Sequence, residues 1–308
     1  MQNSLNSLLA CVNFEVIKNE LYIIMKKLAL FFFIFSSTLL NYSQQYAYKI
    51  FNNKGKSVGF SKMVKSTVKA DVVLFGEYHD NPISHWLQFE LASELINQQK
   101  LIIGLEMLES DNQHFLNQYM DDKISYTDLD SLARLWSNYS TDYAPIIEMA
   151  KEKKCKVVCT NIPRKYARMV YRNGGFEALD NISENEKKFI APFPILFDPE
   201  LSQYKNMLEF MGGHGSPDIV KAQAIKDATM AHFISENLKD NHIFLHLNGA
   251  YHSDFFQGIL WYLIQARPTL NYKTISTVNQ QSIRKLEKEH LGRADFIICV
   301  DNNMTKTH

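Results

Sequence analysis

The sequence lacks a charge bias of either sign. Its 33 Lys and Arg balance 33 Asp and Glu over 308 residues, with a pI near 7.1. Without a basic stripe there is no electrostatic footprint of a nucleic-acid binder, and without an acidic block there is no solvating tail. Internal repeats and low-complexity segments are absent as well, which excludes solenoids and disordered arrays. Cysteine is scarce: Cys11, Cys155, Cys159 and Cys299. None directly follows the N-terminal apolar stretch, so no lipid-attachment cysteine is seen. Cys155 and Cys159 lie in KCKVVC, which reads as a strand. Four residues of strand span about 13 Å, too far for a disulfide. C-x-x-x-C without a following His is not a covalent cofactor-attachment pattern either. These read as ordinary buried cysteines.

What is present is the balance of a globular protein, with 46% apolar and 21% charged residues. The 20 Phe and 15 Tyr suit a core, and also a flat apolar ligand. Near the N-terminus, Met25-Lys26-Lys27 leads into LALFFFIFSSTLL and then a polar exit, Asn41 to Gln45. The apolar run is shorter than the ~20 residues a spanning helix needs. A basic start, a short apolar stretch and a small polar exit describe a secretory signal peptide over residues 25–44. The expectation is an exported protein, periplasmic or membrane-associated. Translation would begin at Met25, residues 1–24 being an artefact of start assignment. Cleavage near Ser43 or Gln44 would leave one domain, 45–308. An N-terminal membrane anchor is the alternative.

Short apolar runs alternate with helical patterns. Val72–Phe75, Leu101–Leu105, Val157–Thr160 and Ile243–Leu247 read as strands, with Tyr272–Thr277 and Asp295–Val300 as later ones. Asn81-Pro82 opens a helix, Asn as cap and Pro in the first turn. Trp86, Phe89, Leu91 and Leu95 recur along it at helical spacing. Further helices are expected over Tyr143–Lys153 and Asp218–Leu238. This alternation predicts an α/β fold: a mostly parallel open sheet flanked by helices. Residues 110–142 and 180–217 fit the rhythm poorly and are expected as helical insertions at the C-terminal edge of the strands. Ala191 to Pro194 and Met211 to Gly215 are its loop-like parts, candidates for a lid.

In open α/β sheets ligands bind beyond the carboxyl ends of the strands. Those ends carry Gly76-Glu77-Tyr78-His79, Glu106, Thr160-Asn161 and Asn248-Gly249-Ala250-Tyr251-His252. Adjacent strands lie about 4.8 Å apart, so these groups can converge. G-x-x-H occurs twice, with Gly76 and Gly249 each permitting a sharp strand exit. Glu77, His79, Glu106 and His252 form a workable divalent-metal set. Glu77 or Glu106 could instead serve as general base toward a metal-bound water. Singly, each has a plainer reading: Glu106 can cap a helix, and His79 can bond a backbone carbonyl. His85 can point back to the cluster or sit on the surface. His246 reads as a core histidine, His114 and His232 as partly solvated, and His214 as loop decoration or a ligand. Tyr143 could aim its phenol at a ligand or merely pack. Arg164 and Lys165, at a helix start after Pro163, suit a carboxylate or form a solvated basic face.

Several segments together resemble a known family. VVLFGEYHDNPISHWLQFELASEL, GLEMLESDNQHFLNQYM, DYAPIIEMAKEKKCKVVCTNIPRKYARMVYRNG, KAQAIKDATMAHFISENL and HLNGAYHSDFFQGI are similar, in order and spacing, to the ChaN-like, haem-binding branch of the Tiki superfamily. The resemblance spans roughly residues 60–270. It implies a haem-binding protein of iron uptake, with haem as cofactor, outer-membrane haem and iron uptake machinery as partners, and a homodimer holding stacked haems. The superfamily's two G-x-x-H motifs and separate glutamate map onto Gly76 and His79, Gly249 and His252, and Glu106, with Glu77 in the G-E-x-H form. The family's tyrosine ligand falls on Tyr143 in DYAPII. Two departures stand out: the lipoprotein cysteine is missing, and SDFFQGILWYL after His252 lacks an expected Pro. The resemblance implies haem held in an apolar cleft by Tyr143, His79 or His252, with Arg164 near the propionates. The alternative is a Tiki-type metal-dependent hydrolase of peptides or esters, using Glu77 and Glu106 catalytically.

Overall fold

The computed structural model describes residues 18–31, 46–210 and 216–307. The chain divides into two units, Met1–Tyr46 and Ala47–His308. In the first, residues 18–31 form an exposed helix, α1. It includes the basic start of the expected signal sequence, whose remaining apolar stretch lies outside the described residues. Among those described, no helix is long and apolar enough to cross a membrane.

The second unit is built on an eight-stranded sheet in the order β2-β1-β8-β7-β3-β6-β4-β5. The strands are β1 Tyr48–Asn52, β2 Ser57–Val58, β3 Val72–Glu77, β4 Lys100–Glu109, β5 Lys156–Asn161, β6 His242–Gly249, β7 Tyr272–Gln280 and β8 Phe296–Asp301. From β8 to β5 all neighbours are parallel, and β1 and β2 add an antiparallel edge. Every strand expected from an apolar run is present. The edge pair was not foreseen, because YKIFN mixes polar and apolar residues and β2 is only two residues long. From β3 the chain steps outward to β4 and β5. It then returns to lay β6 between β3 and β4, and continues to β7 and β8 on the other side. The reversal puts the topological switch, where ligands enter such sheets, at β3 and β6.

Side chains alternate across each strand. Val73 and Phe75 face one layer, with Met63 and Val64 of α2 (Phe60–Thr67), Leu87, Leu91 and Leu95 of α3 (Pro82–Gln98) and Ile146, Ile147 and Ala150 of α6 (Ala144–Glu152). Val72 and Leu74 face the other, with Ala228, Met230, Ala231 and Ile234 of α10 (Pro217–Asn237) and Ile259, Leu260 and Leu263 of α11 (Ile259–Ala266). Asn81 caps α3 as expected, its side chain accepting from the Ile83 and Ser84 N–H groups at 3.0 and 3.1 Å. Trp86 is exposed, while Ser84, His85 and Gln88 are buried. The first turns of α3 abut the polar rim of the sheet instead of its apolar middle.

The irregular stretches do contain helices: α4 Gln113–Met120, α5 Tyr126–Leu132 and a π turn Tyr139–Tyr143 in one, α8 Glu184–Lys187 and α9 Ser202–Phe210 in the other. Of the two lid candidates, Met211 to Gly215, with His214, lies outside the described residues. Ala191 is buried, and its N–H donates to Thr229 Oγ1 at 3.2 Å, so that end of the other candidate is packed down. Cys159 and Cys299 are buried, whereas Cys155 is only half-buried.

Candidate functional site

Glu77 is the last residue of β3, and alternation turns it toward α3. There it is fully enclosed. Oε1 accepts from the Tyr143 hydroxyl at 2.6 Å and from His79 Nδ1 at 2.8 Å. Oε2 accepts from Gln88 Nε2 at 2.5 Å, with His85 Nδ1 at ion-pair distance, 3.4 Å. Burial would raise this carboxyl, but the His79 and His85 interactions outweigh it and hold it at about 2. His85 is locked in turn, its Nε2 3.0 Å from the His79 carbonyl and 3.3 Å from Asp142.

Glu106 lies inside β4, not at its end, because β4 runs on to Glu109 through an irregularity after Leu105. Alternation sends it to the opposite face, toward α10. Oε2 accepts the Gly249 N–H at 2.6 Å, and Oε1 lies 3.1 Å from His252 Nε2. The other nitrogen of His252 bonds Asp227 Oδ1 at 2.5 Å, with the Gln223 amide 2.8 Å away. Tyr204 donates to Asp227 Oδ2 at 3.1 Å. His252 is thus held between two buried acidic side chains, one at each ring nitrogen. Burial opposes its charge, but Glu106 and Asp227 raise it to about 10. Burial opposes the Glu106 anion too, yet His252, His79 and the Gly249 N–H hold that carboxyl well below its usual range.

His79 joins the halves at the rim. Its side chain is 36% exposed, with Nδ1 on Glu77 and the ring edge-on to Trp136 at 4.8 Å. Nε2 makes no hydrogen bond among the described residues and faces Gly249, where a Cβ would sit only 2.9 Å away. The two glycines thus serve close approach and not sharp exit. Gly76 stays in register with Asn248 and Ser276, and a Cβ on it would meet Ala250 Cα at 2.8 Å. A cleft of about 750 Å³ opens over His79, lined among others by Tyr78, Asp80, Gln223, Tyr251 and Lys306.

The four expected residues do meet at one edge, but as two hydrogen-bonded ion pairs on opposite faces of the sheet. Among the described residues, no three of their ligand atoms lie within 4.8 Å of one another. Each Glu77 oxygen is already engaged, as are both Glu106 oxygens. The expected metal set is therefore not preformed, and two strongly acidic carboxyls are poor general bases at neutral pH. Two further expectations are corrected. Tyr143 is fully buried beneath the cluster, and burial together with the Glu77 charge pushes its phenol up. Its hydroxyl is engaged in bracing Glu77. His252 is also buried, with both nitrogens occupied. Arg164 is exposed at the start of α7 (Arg164–Arg172) and lines a groove of about 800 Å³ with Arg134, Lys165, Arg168 and Trp136. Trp136 carries that groove to His79, and Asn138 Nδ2 bonds the His79 carbonyl at 3.1 Å. His246 is the core histidine expected, held by Thr160 and Asn248.

Asp227, Gln223 and Gln88 were missed as site residues, while His85 takes the first of its two readings and points back to the cluster. A signal was available: Gln223 and Asp227 recur at i, i+4 among the buried residues of α10, and His85 and Gln88 at i, i+3 on α3. A polar pair on an apolar stripe needs a polar partner.

Among solved structures, ChaN of Campylobacter jejuni, described as binding haem cofacially, is similar at a TM-score of 0.61 and 18% identity, over 82% of this chain and 96% of that one. A toxin effector domain from Vibrio vulnificus aligns at 0.45 and 13%, over 80% and 39%. An erythromycin esterase aligns at 0.44 and 12%, over 83% of each chain. No curated protein sequence matches. The model of the family described as haem-binding uptake, Tiki superfamily, ChaN, matches residues 63–263, and the chain belongs to that family.

Proposed function

We propose that this protein binds haem at the carboxyl edge of its sheet, with His79 presenting Nε2 to the iron. The observation that carries the reading is the state of that imidazole. Its Nδ1 is fixed on a buried carboxylate, Nε2 makes no hydrogen bond among the described residues, and the part-exposed ring lines a cleft. A carboxylate behind a ligating histidine sets the tautomer and raises ligand basicity, and imidazole is a common axial ligand of haem iron. The donor chemistry therefore fits the group. Arg164 and Arg168 lie beyond Trp136 and suit the propionates, whereas Arg134 in the same groove is paired with Glu109 and Asp111 and Lys165 with Glu186. When bound, haem supplies the iron and a flat apolar surface. The chain's part is to orient His79, through Glu77 and Asn138, and to anchor anionic groups.

The expected apolar cleft is a mixed one: apolar surface predominates, with Tyr78 and Tyr251 as its aromatic members, and Asp80, Gln223, Asn279 and Lys306 add polar groups. A second copy of the chain would cover the outer porphyrin face. That homodimer reading leans on the cofacial haems attributed to the Campylobacter protein. We place the protein outside the cytoplasm, with residues 25–44 removed on export and haem passed to or from outer-membrane uptake machinery. The basic-then-apolar sequence after Met25 supports this. The hydrolase alternative has less support, since Glu77 and Glu106 are held ionised with their oxygens engaged.

Titrating haemin into the purified chain should give a saturable Soret shift of defined stoichiometry. His79→Ala should weaken it by about tenfold or more, a loss of at least ~1.4 kcal/mol. An unsaturable shift, or full affinity in the His79 variant, contradicts the assignment. The exported form should begin near Gln45 by intact mass.

A further inference from the structure

Between β7 and β8 the chain makes a short 3₁₀ turn, Lys288–His290. Glu287, Glu289 and His290 there bring one ligand atom each within 4.8 Å of one another. None of the three takes part in the cluster around Glu77. The two carboxylates are exposed, and by themselves they would be a solvated acidic pair. His290 makes the difference. It is 5% exposed, and neither of its ring nitrogens has a hydrogen-bond partner. Nε2 lies 3.7 Å from Glu289 Oε1, beyond hydrogen-bond reach but on the same side as the carboxylates. Buried polar groups are nearly always satisfied, so a buried ring with two unsatisfied nitrogens points to a partner.

The turn is held in place without that partner. The Glu287 N–H donates to Gln280 Oε1 at 3.1 Å, and Gln280 Nε2 donates to the Ser282 and Lys285 carbonyls. On the far side the His290 N–H bonds the Glu287 carbonyl at 3.2 Å, and the Gly292 N–H bonds the Asn53 carbonyl at 2.9 Å. Gly292 has φ +73°, a conformation that favours glycine. Burial and the nearby Arg293 charge lower the His290 pKa, against the pull of Glu289 and Glu287. Arg293 is itself ion-paired to Asp254 at 2.7 Å, which blunts its repulsion of a cation.

We propose that Glu287, Glu289 and His290 form a site for a borderline divalent transition metal such as Zn²⁺, with water completing the coordination. One imidazole with two carboxylates suits zinc, whereas calcium and magnesium favour all-oxygen sets.

The test uses the untagged full chain, stripped with chelator and titrated with Zn²⁺ against a chromophoric competitor, with Co²⁺ absorption as a second readout. One Zn²⁺ per chain is expected. His290→Ala should weaken binding by about tenfold or more. The double change Glu287→Gln and Glu289→Gln should do the same, and its exposed positions make it safe for folding should the His290 variant not fold. His79→Ala should leave Zn²⁺ affinity unchanged. Absence of saturable Zn²⁺ binding overturns the proposal, as does undiminished affinity in the double variant or loss of binding on His79→Ala.

Discussion

Replacing Glu77 by Gln keeps the side chain's size and removes its charge. The carboxylate accepts from Tyr143, His79 and Gln88 at 2.6, 2.8 and 2.5 Å. An amide offers one accepting end only, so at least one donor is left facing an N–H. The carboxyl stands at about 2 in place of its ordinary 4.5, a difference equivalent to about 3 kcal/mol of folding stability at neutral pH. The folded value is the depressed one. The contribution is therefore complete above about pH 4.5 and is lost as pH falls toward 2. The expected cost of Glu77→Gln is about 3 kcal/mol at pH 7, or roughly 6–12 °C in Tm for a domain of this size. The gap between wild type and variant should narrow steadily below pH 4.5. Urea unfolding followed by circular dichroism at pH 7, 5 and 3.5 measures it directly. A cost under about 1 kcal/mol at pH 7, or a gap as wide at pH 3.5 as at pH 7, would refute the account of Glu77 as an ionised hub.

Tyr143→Phe should leave the haemin Soret spectrum in place while costing about 1–3 kcal/mol, since it removes one donor from a buried carboxylate. Loss of the spectrum in a folded variant would restore Tyr143 as a ligand. Arg164→Glu with Arg168→Glu should weaken haemin by about tenfold and reduce its salt dependence. Haemin dimethyl ester, which lacks the carboxylates, should bind both proteins alike, and an equal loss for both forms would remove the groove from the propionate site. His252 is raised to about 10, so its stabilisation is whole below its ordinary 6.5 and fades as pH climbs toward 10. Wild-type stability should fall across that window and His252→Gln should fall less, as measured by urea unfolding at pH 6.5, 8 and 10. Parallel profiles would contradict the two-carboxylate clamp.

Much of the frame was legible because parallel strands buried on both faces must be continuous apolar runs. VVLFGE, LIIGLE and IFLHLNG announce themselves, and the polar residues at or just after those apolar runs name Glu77, Glu106 and His252 before any coordinates. Asn81-Pro82 likewise marks the start of α3 by local hydrogen bonding alone. The edge pair β1 and β2 was hidden because short, mixed strands leave no periodic signal. Trp86 shares the helical spacing of Phe89, Leu91 and Leu95 yet is exposed, since spacing gives a stripe but not the rim it faces.

The chain's own residues fixed the strands, their polar carboxyl ends and the helix cap, all consequences of neighbours a few positions apart. Tertiary structure alone decided the pairings. Laying β6 between β3 and β4 brings Gly249 to Glu106, and side-chain alternation then sends Glu77 and Glu106 to opposite faces. α10 supplies Asp227 to lock His252, and the π turn before α6 supplies Tyr143 to brace Glu77. Those partners lie 25 to 143 residues apart in pairs such as Asp227 with His252 and Glu106 with Gly249. Only strand order, register and helix rotation bring them together, which is why the His79 ring is part-exposed while His252 is largely buried.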